Sequence, residues 1–121
     1  MTRKTQNPFT GRWRITWMSD WDQGYVDIDG PGHVTFGAGQ SSSFQFGMVQ
    51  GRMHCKFDLQ QSPQVEFTWD GFDEGDEIDG RGRAAIVDGE LRGHIFIHLG
   101  DDSAFRATRQ SAPPRKPRRA A

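Results

Sequence analysis

Apolar and polar residues alternate with a period of two along most of the chain, the pattern of β-strands that bury one face. In the segment 11–18, the rings of Trp13 and Trp17 fall on one face and Arg12 and Arg14 on the other. Helical periodicity is nearly absent. The alternation recurs in further segments, of which the clearest are 44–49, 53–59, 65–70 and 91–98.

Turn-forming residues separate these segments. Gly30-Pro31-Gly32 and Asp88-Gly89 are strong turn signals, and Gln50-Gly51 is typical of a tight hairpin connection. We expect a short strand over residues 25–29, with Val26 and Ile28 on one face, before the first of these turns. About eight to nine strands with turns roughly every ten residues predict an all-β fold, a small antiparallel up-and-down (meander) barrel.

The barrel is predicted to be a single domain over residues 9–109. Alternate glycines at Gly80 and Gly82 suit the sharp bend that closing a small barrel requires. We expect residues 1–8 to be a flexible N-terminal segment. Residues 110–121 are predicted to form a disordered basic, proline-rich tail.

Composition narrows the class of protein. Aromatic residues reach 12%, with nine Phe and four Trp, which argues against a disordered chain. No apolar run is long enough for a transmembrane helix, so no membrane partner is expected, and no secretory signal is visible at the N-terminus. The single cysteine, Cys55, cannot form an internal disulfide, so a cytoplasmic protein is predicted.

Charge is unevenly distributed along the chain. All 16 acidic residues lie between Asp20 and Asp102, whereas six of the 15 basic residues lie in the terminal segments 1–8 and 111–121. The tail is either a contact for nucleic acid or an acidic protein, or a solvated disordered end. We favour the solvated end, because four basic residues without interleaved aromatics make a weak nucleic-acid site.

The opening Asn7-Pro8-Phe9-Thr10-Gly11-Arg12-Trp13 resembles the first strand of the calycin barrels, the lipocalin and avidin group, which begin with Gly-x-Trp. In that group an Arg or Lys on the last strand packs across the Trp. The resemblance implies that Gly11, Trp13 and Arg106 close one end of the barrel, the guanidinium stacking on the indole. It also implies an eight-stranded up-and-down barrel, often with a small apolar ligand inside.

Two kinds of non-enzymatic binding module follow from these patterns. The first holds a small apolar or aromatic molecule inside the barrel, although so many inward rings also suit a packed core. Its candidate ligand-binding residues are Trp13, Trp17, Phe44, Phe46, Phe57, Phe67 and Trp69. The second binds a protein partner, or acts as an inhibitor, through the acidic stretch 70–79.

The acidic stretch allows three interpretations. It is a solvated hairpin in which Arg81 and Arg83 pair with carboxylates, a Ca²⁺ loop, or a docking site for a basic partner or the chain's own basic tail. The spacing of its acids does not fit an EF-hand loop. Its candidate partner-binding residues are Asp73, Glu74, Asp76 and Glu77.

Chemistry-bearing residues elsewhere are sparse. His94, Phe96 and His98 alternate on one predicted strand, so they form a candidate surface for a partner or a homodimer. A metal-assisted enzyme around His98, Asp101 and Asp102 is a less favoured alternative. Cys55 is predicted to be a small buried apolar residue. No cofactor and no metal ligand set is predicted.

Overall fold

The computed structural model describes residues 7–37 and 42–110, which form a closed barrel of eight antiparallel strands. Each strand pairs with its neighbours in sequence, and β8 returns to pair with β1. The strands are β1 (Gly11–Met18), β2 (His33–Phe36), β3 (Ser42–Phe46), β4 (Val49–Asp58), β5 (Gln64–Asp73), β6 (Asp76–Val87), β7 (Glu90–Ile97) and β8 (Asp102–Arg109). The all-β, up-and-down barrel predicted from the alternation is therefore confirmed.

The meander order sends the connections alternately to the two ends of the barrel. The plugged end comprises the entry segment 7–10 and the connections 59–63 and 88–89. The acidic end comprises the connections 19–32, 47–48, 74–75 and 98–101. These two names are used below for the two ends.

Two local predictions are wrong at the acidic end. Residues 25–29 are not a strand, because a short helix, α1 (Gln23–Val26), begins at the N-cap Asp22, whose carboxylate accepts the Tyr25 N–H. Val26 is buried, whereas Ile28 is exposed. The hairpin turn between β3 and β4 lies at Gly47-Met48, and Gln50-Gly51 belongs to β4.

The barrel interior is filled with aromatic rings, and several of the large rings have a glycine directly opposite on a neighbouring strand. Across the strand pairs, Phe44 lies opposite Gly51, Phe67 opposite Gly82, Trp69 opposite Gly80, and Phe105 opposite Gly93. A Cβ added to Gly93 would lie 2.7 Å from the Phe105 ring. These glycines therefore leave room for the rings opposite them. The bending role predicted for Gly80 and Gly82 stays a prediction.

In β1, the set of residues whose side chains point into the barrel shifts by one position partway along the strand. Trp13 and Ile15 are buried, but the pairing with β8 shifts register between Ile15 and Trp17. Such a bulge inserts one residue, so the side chain of Met18 points inward in place of the Trp17 ring. The prediction that Trp17 lies inside the barrel is therefore wrong.

The predicted flexible segment 1–8 and basic tail 110–121 fall mostly outside the described residues. Of these segments the structure describes only Asn7, Pro8 and Gln110. No helix in the described residues has the length and apolar character needed to cross a bilayer.

Candidate functional site

The plugged end is closed by Trp13 and Phe9. The Trp13 Nε1–H donates to the Phe9 carbonyl at 2.9 Å, and the Phe9 ring packs edge-on against Phe36 with centroids 5.4 Å apart. The Arg109 guanidinium lies over the Trp13 ring, 4.3 Å from its centroid, and donates to the carbonyls of Thr10 and Pro8. One cation thus joins the last strand to the entry segment.

The arginine predicted for this role, Arg106, is the wrong one. Phe105 and Ala107 of β8 point inward, so Arg106 points outward and lies over the exposed Trp17 ring at 5.6 Å. Arg109 has the inward phase, because it pairs directly with Trp13. A Cβ at Gly11 would lie 2.8 Å from the Arg109 Nη1, so a side chain there would crowd the guanidinium.

The seven aromatic residues proposed to hold an interior ligand separate into three groups. Five are buried: Trp13, Phe44, Phe46, Phe67 and Trp69. Phe57 is half-buried against Phe9, with ring centroids 5.6 Å apart, and Trp17 is 45% exposed on the outer wall. The buried Trp69 Nε1–H has no hydrogen-bond partner among the described residues.

The acidic end gathers most of the carboxylates of the chain. Its connections and the adjoining strand ends carry Asp20, Asp22, Asp27, Asp29, Asp73, Glu74, Asp76, Glu77, Asp79, Asp101 and Asp102. Segments 19–32, 47–48, 73–79 and 98–102 contain no Lys or Arg. The up-and-down connectivity therefore converts a charge bias spread along the sequence into one negatively charged end.

The long β1–β2 connection crosses the acidic end and is held there by one ion pair. Both nitrogens of the Arg14 fork donate to the two Asp27 oxygens at 2.8 Å, and the Gly32 N–H donates to the same carboxylate at 2.9 Å. These hydrogen bonds, Arg14 first, lower the pKa of Asp27 to about 2. Trp21 covers the interior beneath this connection, 5.0 Å from the Phe46 ring.

Apolar side chains are exposed among the acids. Ile28 is 63% exposed, Phe72 50% and Leu99 95%, and Met48 is also exposed. Two hydrogen bonds join these connections: the Met48 N–H donates to the Tyr25 hydroxyl, and the Glu74 N–H donates to the Met48 carbonyl.

A groove of about 620 Å³ opens on the outer wall beside Phe72. We call it the acidic groove, because Asp70, Glu77 and Asp79 contribute to its lining. The other side chains that line it include those of His33, Gln45, Gln50, Arg52 and Ile78. Of the four predicted partner-binding acids, Glu77 lines this groove, and Asp73, Glu74 and Asp76 do not line it.

The predicted surface of His94, Phe96 and His98 is divided by the structure. β7 ends at Ile97, so His98 lies in the following turn, where its N–H donates to the Asp79 carbonyl. His94 and Phe96 remain together, with ring centroids 4.6 Å apart, and the His94 Nε2 lies 2.7 Å from the Asp102 carboxylate. His94 and Phe96 therefore share one surface, and Phe96 and His98 together line a further groove of about 440 Å³.

Among residues 7–37 and 42–110, Arg81 and Arg83 form no ion pair with a carboxylate, unlike in the hairpin interpretation. Both guanidiniums lie over the Phe96 ring, at 5.5 Å and 5.4 Å from its centroid. Alternation places them outward on β6, but only the register of β6 against β7 brings both to one ring. Sequence reasoning missed this cluster, although two arginines spaced two apart on a strand were a visible signal.

Among the described residues, Cys55 is not placed beside an imidazole that could activate its thiol. Cys55 is half-buried, burial raises the pKa of its thiol, and the neighbouring His54 points outward from β4. A raised pKa leaves little thiolate to act as a nucleophile. In residues 7–37 and 42–110, no group of three or more His, Cys, Asp or Glu side chains is arranged to hold a metal ion.

Comparison with known protein families, curated proteins and solved structures finds no match to this chain.

Proposed function

We propose that this barrel is a non-enzymatic protein-interaction module that binds a basic partner through its acidic end. The observation that carries the proposal is the coincidence of three features there: clustered carboxylates, an absence of Lys and Arg from the four segments named above, and the exposed apolar Ile28, Met48 and Phe72. Apolar residues ringed by one sign of charge are typical of a docking surface, because charge orients the partner and apolar contact holds it.

The acidic groove supplies the shape for such a partner. Its volume of about 620 Å³ accommodates a few side chains, and Phe72 at its edge offers an apolar contact. A peptide that carries Lys or Arg beside Leu or Ile fits this combination of carboxylates and ring. The partner is therefore proposed to be a basic segment with apolar side chains.

Binding inside the barrel is a second candidate, and it is the activity often associated with calycin-like barrels. Gly11, Trp13 and Arg109 support a calycin-like assignment, because their contacts match the end closure expected from the resemblance. Against an interior ligand stands the filling of the interior by buried rings, whereas grooves of about 620, 460 and 440 Å³ lie on the outer wall. The surface is the better supported binding place. A reducing compartment such as the cytoplasm suits the one free thiol.

The test is titration of the protein with a labelled peptide in which Lys and Leu alternate, followed by fluorescence anisotropy. The variant Asp73→Asn, Glu74→Gln, Asp76→Asn, Glu77→Gln is expected to bind about tenfold or more weakly and to fold normally, because these side chains make no ion pair among the described contacts.

A matched control changes the net charge equally elsewhere. The variant Asp58→Asn, Glu66→Gln, Asp88→Asn, Glu90→Gln removes four acids from the plugged half of the barrel and is expected to lower affinity by less than about threefold. Equal losses in both variants would show that net charge alone attracts the peptide and would overturn the proposal. Phe72→Ser separates the apolar contribution, and an unchanged affinity in that variant would exclude Phe72 from the site.

A further inference from the structure

A second groove, of about 460 Å³, lies on the outer wall across β4 to β7 and adjoins the acidic groove, since the Nε2 of its lining residue His54 lies 3.9 Å from the Asp70 carboxylate of the acidic groove. Its lining is dominated by cationic and aromatic groups, and its one acid is Glu66. The outward side chains that line it are those of His54, Lys56, Glu66, Thr68, Arg81, Arg83 and Phe96. The lining therefore carries more positive than negative side chains, with Lys56, Arg81 and Arg83 against Glu66.

The Phe96 ring holds two guanidiniums of like charge close together. Arg81 and Arg83 both lie within 5.5 Å of its centroid, and the His94 ring stacks on it at 4.6 Å. Cation–π attraction orients each guanidinium but does not neutralise it. The two charges therefore still repel each other, and an anion between them would relieve that repulsion.

No carboxylate within the described ranges supplies such an anion. Arg14, Arg52 and Arg92 each form an ion pair with a nearby acid, whereas no described carboxylate lies within 4.0 Å of the cationic nitrogens of Arg81, Arg83 or Lys56. Glu66 lies between Lys56 and Arg83 in register but makes no ion pair with either. These three cations are available to an external ligand.

We propose that this groove binds the phosphate group of a small ligand. The guanidinium fork matches phosphate oxygens with two parallel N–H bonds, and an adjacent ammonium adds a third positive charge. The groove has the volume of a small-molecule site. Phe96 positions the two arginines, so the site is organised before the ligand arrives.

Isothermal titration of the full chain with inorganic pyrophosphate at low ionic strength tests the proposal. We expect single-site binding that Arg81→Gln and Arg83→Gln each weaken about tenfold, the effect of losing one charge-assisted pair of hydrogen bonds. Phe96→Leu removes no charge but releases both guanidiniums, so several-fold weaker binding is expected. Each substituted side chain lies on the outer wall, and thermal unfolding of each variant checks that the barrel is intact.

The matched control is Arg92→Gln, because Arg92 lies on the same wall but is paired with Glu90 at 2.7 Å. We expect it to change the pyrophosphate affinity by less than about twofold. No measurable binding by the unaltered protein, or an equal loss in the Arg92 variant, would overturn the proposal. Malonate binding as tightly as pyrophosphate would refute the preference for phosphate. Much tighter binding of a short oligothymidylate would indicate an extended polyanion surface and would refute the small ligand.

Discussion

The two ends of the barrel are closed by different means. At the plugged end, buried rings fill the opening and the Arg109 cation binds neutral carbonyl groups. At the acidic end, a long connection with a four-residue helix crosses the opening and is held by the Arg14–Asp27 ion pair. Burial of apolar surface is insensitive to pH, whereas an ion pair depends on the ionisation of its carboxylate. The stability of the first closure is therefore expected to be insensitive to pH, and that of the second to depend on it.

Removing the plug is expected to have the largest effect on stability. Trp13→Ala deletes a fully buried indole and its hydrogen bond to Phe9, which costs about 3–5 kcal/mol of unfolding free energy in chemical denaturation. Trp21→Ala at the acidic end is the comparison, and since Trp21 is half-buried we expect about half that loss. Should Trp13→Ala not fold, Trp13→Phe reports the same ranking. A larger effect at Trp21 would reverse the assignment of the two ends.

Breaking the ion pair at the acidic end is expected to cost less and to depend on pH. Asp27→Asn removes the charge that faces Arg14, and we expect a loss of about 1–2 kcal/mol at neutral pH, reduced by the partial exposure of both side chains. The folded-state pKa of Asp27 is lowered to about 2, below the unfolded value of about 4. The stabilisation is therefore full above about pH 4 and is lost as the pH falls through about 2.

The measurement is the difference in unfolding free energy between the two proteins from neutral pH down to about pH 2, where most of that difference is expected to be lost. Asp29→Asn is the control, because Asp29 is an exposed acid of the same connection without an ion pair among the described residues. A difference for Asp27→Asn that stays constant over this range would show that the ion pair does not hold the connection.

Substituting the two arginines of β8 is expected to have the smallest effect and to distinguish them. Arg109→Gln removes the cation over Trp13 and two hydrogen bonds to the entry segment, so we expect a loss of about 1 kcal/mol. Arg106→Gln removes only a contact between two exposed side chains and is expected to change stability by less than about 0.5 kcal/mol. Equal effects in urea unfolding would mean that Arg109 does not close the plugged end.

Prediction from the sequence succeeded in strands where buried and exposed side chains alternate without a bulge. The alternation in 44–46 and 65–69 placed Phe44, Phe46, Phe67 and Trp69 inside the barrel, and all four are buried. It failed at Trp17, because a bulge is a property of the pairing between two strands and leaves no mark on the alternation of one. The helix at Gln23–Val26 was missed because a four-residue helix is too short to show a period.

The candidate sites were less accessible to sequence reasoning. The acids of 73–77 were visible as a cluster in the sequence. That Ile28 and Met48 lie at the same end of the barrel depends on which connections share that end. The second groove depends on strand register, which brings Lys56, Arg83 and Phe96 from three strands to one wall. Contacts between residues distant in sequence are decided by pairing and closure.

By itself, the sequence determined the class of fold, the inward rings and the total charge, because burial alternates residue by residue along a strand. Only the tertiary structure decided which arginine closes the barrel, where the acids gather and which of the described cations form no ion pair. The physical reason is that Coulomb and hydrogen-bond energies depend on distances across strands, and those distances exist only after the barrel has closed.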